Sequence, residues 1–294
     1  MKTANEKRLD FRNNLKNGAF MVAPGVYDAL SAKIAQAAGL SCLVMGGYAV
    51  SASRLAMPDV GLLSETEMAE SLKSICCATD IPVIADADTG YGNPLNVIRT
   101  EQDFEMAGAS CIFFEDQAWP KRCGHMDGKQ VIPAKEHAQK IRAACDARTD
   151  RDTVILARTD ARSILGFAEA LDRAKRYADS GAEIIFIEAL QSTKELEDAA
   201  KAFEGSGTYL WTNMIEGGKT PILTADELSS MGYSGVFWPC SSLYTIAKAL
   251  YSTFSALKNQ GTTLNQAPQM MQFSDFNQFV GFNTYKTLEK TYAE

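Results

Sequence analysis

The chain of 294 residues is 46% hydrophobic and 22% charged, close to soluble globular averages, which excludes a disordered chain, a fibre and a disulfide scaffold. A net charge of -7 with acidic and basic residues interspersed leaves no basic face for nucleic acid. No apolar run approaches the roughly 20 residues that span a bilayer and the start, MKTANEKRLDFRNNLK, lacks an apolar signal core, so a cytoplasmic protein with no membrane partner is expected.

Eight short β-branched or apolar runs bounded by turn signals follow one another, at 20–24, 42–46, 81–86, 111–115, 153–158, 184–188, 208–213 and 235–239. Most gaps between them carry helical spacing, as in SETEMAESLKSICCATD and GFAEALDRAKRYADSGA, and are long enough for crossover helices. AAGLSCLVMG, MAGASCIFFE and DSGAEIIFIE each repeat an apolar helix end, a glycine and a strand. These are βα units of a parallel sheet, and eight of them predict a single (β/α)8 TIM barrel over 1–294 with a helical extension over about 262–294. In that extension Phe273, Phe276, Phe279 and Phe282 recur at three-residue spacing, the mark of an apolar helix face that a neighbouring subunit or its own barrel must cover.

The polar residues choose between a closed barrel and an open sheet. They gather at C-terminal strand ends: Gly46-Gly47-Tyr48, Asp86 and Asp88, Glu115-Asp116, Arg158 and Asp160, Glu188, then Asn213 and Glu216. A closed barrel converges these ends on one mouth, where barrel enzymes place their chemistry. Asp86 and Asp88, two apart, can point the same way and would repel unless a hard cation such as Mg2+ sat between them. An acidic cap and a pairing with a basic residue explain either aspartate alone; with Glu115, Arg158 and Glu188 on the same rim, a metal site is the better reading.

After the fourth strand, KRCGH (Lys121 to His125) lies in a long stretch with Gly124 and Gly128, which reads as a mobile loop. Cys123, flanked by Lys121, Arg122 and His125, is expected to have a lowered pKa and to serve as acid or nucleophile. The six other cysteines fall mostly in apolar stretches and read as small buried hydrophobes in a reduced protein. With only two histidines, neither a Ser-His-Asp array nor a histidine-rich zinc site can be assembled.

EDQAWPKRCGH, DADTGYG, ARTD and NMIEGGKTP together resemble the isocitrate lyase and phosphoenolpyruvate mutase superfamily, and the thiol in KRCGH resembles its lyase branch. The resemblance implies a carbon-carbon lyase dependent on Mg2+, with Mn2+ as the alternative, acting on a small dicarboxylate by retro-aldol cleavage. It implies that Asp86 binds the metal with Asp88, Glu115 and Asp59 around it, and that Arg158, Glu188 and Asn213 hold the substrate. Gly46, Gly47 and Tyr48 would receive one carboxylate, Cys123 and Gly124 would close over the other end, and Lys121 and His125 would tune the thiol. It further implies a homotetramer whose last helix is exchanged between subunits. The branch that cleaves methylisocitrate carries arginines where this sequence has Tyr244 and Ser274, so an alkylmalate such as 2,3-dimethylmalate is the expected substrate. Oxaloacetate hydrolysis, methylisocitrate cleavage and a non-catalytic dicarboxylate-binding module are the alternatives.

Overall fold

The computed structural model describes residues 1–293 and falls into two compact units, Met1–Leu243 and Tyr244–Glu294. In the first unit, eight parallel strands close into a barrel in sequential order: β1 (Met21–Val26), β2 (Leu43–Met45), β3 (Val83–Asp86), β4 (Cys111–Glu115), β5 (Val154–Thr159), β6 (Ile184–Ile187), β7 (Tyr209–Asn213) and β8 (Gly235–Trp238). The predicted runs match all eight within two residues at either end. Helices alternate with them, and side chains fix where several begin: Asp28, Ser64, Asn93 and Thr224 accept from backbone N–H groups of their first turns and are met in return by the residue three places on.

Strand alternation sorts the core into two layers. Met21, Val44, Ile84, Phe113, Leu156, Phe186, Trp211 and Phe237 fill the barrel interior, whereas Met45, Ala85, Ile112, Ile155, Ile185 and Val236 pack outward against the helices. The helix Ala4–Lys16 brings Phe11 and Leu15 into the interior cluster, with the Phe11 ring 6.1 Å from that of Trp211. The apolar interior layer stops one step short of the strand ends. Above Ile84 the next inward residue is Asp86, above Phe113 it is Glu115, above Leu156 it is Arg158, above Phe186 it is Glu188 and above Trp211 it is Asn213. A period of two therefore delivers five polar side chains to one mouth.

No disulfide joins any of the cysteines among the described residues, and Cys42, Cys76, Cys111 and Cys240 are buried as small hydrophobes. The second unit departs from the expected continuous phenylalanine face: Gly281, at φ 92°, breaks it into the helices Phe273–Phe279 and Phe282–Tyr292. Among the described residues no helix is long and apolar enough to cross a membrane.

Candidate active site

The mouth holds a cavity of about 60 Å3 lined by Asp86, Glu115, Cys123, Arg158, Glu188 and Asn213 among others, all from the barrel unit. Gly46, Tyr48, Asp59, Lys121, Gly124 and His125 also face it. Tyr244 and Ser274 belong to the helical unit and are not among the lining residues.

Two clusters of charge share the cavity. In the first, the Asp86 carboxylate accepts from Gly47 N–H at 2.9 Å and from Asp88 N–H at 3.0 Å. The Asp88 backbone is left-handed, at φ 48°, and its carboxylate meets the Lys121 ammonium at 2.6 Å; the same ammonium meets Asp59 at 2.6 Å. Burial, with Asp86 and Asp59 nearby, raises Asp88 to about 7 although Lys121 pulls it back. Gly47 opens the helix Gly47–Leu55, whose N-terminus is thereby directed at the mouth. A Cβ at Gly47 would lie 3.1 Å from Lys121 Nζ and 3.2 Å from Asp88 Oδ1, so the glycine permits this crowding. The Gly47 amide, expected to bind a substrate carboxylate, here donates to Asp86.

The second cluster is centred on Arg158. Its guanidinium reaches Glu115 at 3.3 Å, Asp160 at 2.9 and 3.2 Å and Glu188 at 3.1 Å, and lies 5.4 Å above the Phe186 ring. Glu188 also accepts from Asn213 Nδ2 at 3.1 Å and from Ala189 N–H at 2.9 Å. Burial opposes its charge, but Arg158 and His125 overcome that and hold its pKa well below the usual carboxylate range. Glu115 goes the other way: burial drives its pKa far up, against the pull of Arg158, and one of its oxygens has no hydrogen-bond partner.

The loop between β4 and the helix Ala134–Ala147 is closed over both clusters. The Gln117 side chain donates to the Arg122 carbonyl and accepts from Arg122 N–H, Cys123 N–H donates to the Asp59 carbonyl at 3.2 Å, and Gln117 bridges to Val131. His125 Nδ1 accepts from Lys219 N–H at 2.9 Å, which leaves the ring proton on Nε2, 2.9 Å from Glu188. Gly124 is pressed so closely that an added Cβ would stand 2.4 Å from Arg158 Nη2 and 2.5 Å from Glu188 Cδ.

The expectation that basic neighbours lower the Cys123 pKa is overturned. Burial pushes the thiol up to about 11, against a backbone hydrogen bond from His125. The cations next to it in sequence point elsewhere, Lys121 to Asp59 and Asp88 and Arg122 to the Asp127 carbonyl. A thiol that keeps its proton at neutral pH suits an acid rather than a nucleophile, a choice the sequence left open. Sequence reasoning also passed over Lys129, Asp160 as a support for Arg158, and the Gly218-Lys219 turn that receives His125.

A cation fits the acidic side of the cavity. Four lining carboxylates (Asp59, Asp86, Glu115, Glu188) face three lining cations (Lys121, Arg122, Arg158), and Glu115 keeps an unpartnered buried oxygen. Among the described residues no three His, Cys, Asp or Glu side chains are grouped to enclose a metal. Mg2+ retains several waters and takes only one or two carboxylates directly, so it does not require such a group. Asp86 and Glu115 face the cavity for that role; Asp88, turned to Lys121, does not line it.

The sequence profile of the family described as phosphoenolpyruvate phosphomutase matches residues 11–258. The chain belongs to this family. Among curated relatives in the family, 2,3-dimethylmalate lyase of Eubacterium barkeri is 43% identical over 96% of both chains. The chloroplastic carboxyvinyl-carboxyphosphonate phosphorylmutase of Arabidopsis thaliana is 45% identical over 96% of this chain and 84% of its own. Solved structures of the isocitrate lyase and phosphoenolpyruvate mutase superfamily share the fold throughout. An oxaloacetate acetylhydrolase with 3,3-difluorooxalacetate superposes with a TM-score of 0.92 at 30% identity, covering 99% and 98% of the two chains. A 2,3-dimethylmalate lyase superposes at 0.90 and 33%, covering 99% and 96%. A phosphonopyruvate hydrolase solved with oxalate and Mg2+ superposes at 0.89 and 28%, covering the whole of both chains.

Proposed function

We propose that this protein is a Mg2+-dependent carbon-carbon lyase that splits a 2-hydroxy dicarboxylate, an alkylmalate such as 2,3-dimethylmalate, into a 2-keto acid and a carboxylic acid. The observation that carries the reading is the Cys123 thiol on a closed loop, lining the same cavity as Asp86, Glu115 and Arg158, where burial raises its pKa. Asp86 and Glu115 would hold the metal, which when bound polarises the 2-hydroxyl and its neighbouring carboxylate; Mn2+ would serve in its place. Arg158 and Asn213, now both on Glu188, would turn to a substrate carboxylate, and the N-terminus of the helix that starts at Gly47 adds a positive end for the other. Cleavage releases one half as a strongly basic enolate, and Cys123 donates the proton that turns it into the carboxylic acid. The closed loop keeps bulk water from competing for that step.

The charge balance bears on substrate size. Arg158 is shared among Glu115, Asp160 and Glu188 and Lys121 between Asp59 and Asp88, which leaves neither for a third substrate carboxylate. An unpaired buried carboxylate costs several kcal/mol, which disfavours a tricarboxylate such as methylisocitrate. The absence of arginine at Tyr244 and Ser274 points the same way. Pyruvate release with Mg2+ across a series of malates tests the assignment: turnover of an alkylmalate is expected, and cleavage of methylisocitrate alone would overturn it. Replacing Cys123 with Ser should lower turnover by about 100- to 10,000-fold while a dicarboxylate still binds. The structural likeness to oxaloacetate acetylhydrolase favours one second reading, hydrolysis of oxaloacetate, which oxalate formation would reveal. We place the enzyme in the cytoplasm as a homotetramer that exchanges its C-terminal helices.

A further inference from the structure

Lys129 stands apart from its surroundings. Asp127, Gly128 and Gln130 are exposed, yet the Lys129 side chain is 1% exposed, turned inward after the left-handed Gly128 at φ 80°. Its ammonium donates to the Gly124 carbonyl and to Asp160 Oδ1, the latter at 3.0 Å. Asp160 is fully buried and anchored from behind, its N–H donating to Asp116, which also accepts from Thr159 and Tyr177 and pairs with Arg173. The same Asp160 carboxylate grips Arg158 through Nε and Nη2. One buried acid thus receives both the guanidinium that faces the cavity and the lysine that reaches in from the returning limb of the loop.

We infer that Lys129 is a positioning residue: a latch that ties closure of the Cys123 loop to the setting of Arg158 through the shared Asp160. Three acids compete for Arg158, namely Glu115, Asp160 and Glu188. With Lys129 seated, Asp160 is satisfied by a second cation, and the guanidinium is freer to engage a ligand on its Glu188 side. When the loop lifts, Lys129 leaves, and Asp160 draws Arg158 back. The ammonium also holds Gly124, the residue after Cys123, where it packs closely on Arg158 and Glu188. The latch is independent of substrate identity; only its catalytic consequence rests on the lyase reading.

Hydrogen-deuterium exchange of the intact protein tests it without turnover. In Lys129→Met the amides of residues 122–127 should exchange roughly 10- to 100-fold faster, as loss of a charged hydrogen bond predicts, while those of β4 and β5 stay as in the wild type. Lys129→Arg, which keeps a donor and the charge, should recover most of the protection. Should Lys129→Met fail to fold, Lys129→Gln is measured in its place against the same expectation. Unchanged loop exchange overturns the latch, and so does an equal rise in the strands, since Lys129 would then serve the fold. In catalysis, kcat of Lys129→Met should fall by about tenfold or more while KM moves less; a larger effect on KM would break the link to closure. A wild type that cleaves no hydroxy dicarboxylate would end the lyase reading and leave the exchange result to decide the latch.

Discussion

At the scale of single residues, Cys123 shows how far sequence neighbours mislead about electrostatics. KRCGH places three basic side chains within two positions of the thiol, but each is spent elsewhere: Lys121 on two aspartates, Arg122 on a carbonyl, His125 on Glu188. What the thiol feels is burial, which takes it from 9.0 to about 11. Alkylation by iodoacetamide should therefore run about 100-fold slower at pH 8 than for an ordinary thiol and climb until the pH nears 11, because only the thiolate reacts. A rate that levels off near pH 8 would contradict the structure. Gly124 supports a second expectation. A methyl group there would collide with Arg158 and Glu188, so Gly124→Ala should hold the loop out by about an ångström and lower kcat by roughly 100-fold, with the melting temperature unchanged. The identity of both residues was plain in the sequence. Their surroundings were not, because the partners lie on other strands and loops: Glu188 is 63 residues from His125, and Lys219 is 94.

At the scale of elements, most of the architecture was legible because period-two alternation obeys a local rule. Ile84-x-Asp86, Phe113-x-Glu115, Leu156-x-Arg158, Phe186-x-Glu188 and Trp211-x-Asn213 are the same sentence written five times, an interior apolar residue followed two places later by a polar one at the mouth. The break at Gly281 was less visible, since three-residue spacing of phenylalanines continues across it and only the backbone reveals the turn. The helix Ala4–Lys16 was missed as a functional part of the barrel, although it closes the end remote from the active site. Phe11, with 0% exposure, sits in the interior cluster beside Trp211. Phe11→Ala should cost about 3–5 kcal/mol in urea unfolding and leave KM unaltered under folded conditions, because the cavity it opens lies beneath the apolar layers and not in the site. A KM shift without loss of stability would place Phe11 in a different role.

At the scale of the whole molecule, the C-terminal unit exposes several large apolar side chains. Phe273, Phe282, Tyr285, Leu288 and Tyr292 are 88%, 56%, 67%, 42% and 81% exposed, and the last four follow the spacing of one helix face over Phe282–Tyr292. Burying a phenylalanine of this kind against a partner stabilises by about 1.5–3 kcal/mol. Removing two such rings per chain, in Phe273→Ser with Phe282→Ser, should therefore weaken association by about 3–6 kcal/mol, or two to four decades in the dissociation constant. Light scattering over a dilution series is the measurement: the proposed tetramer should persist at micromolar concentration in the wild type and fall to smaller species in the double variant. The barrel unit contributes all the residues that line the cavity, so the dissociated variant also separates assembly from chemistry. If cleavage persists in the smaller species, the site is complete within one barrel. If it vanishes while the fold stays intact by circular dichroism, the helical unit of a neighbour takes part in catalysis, and Tyr244 becomes the first residue to replace.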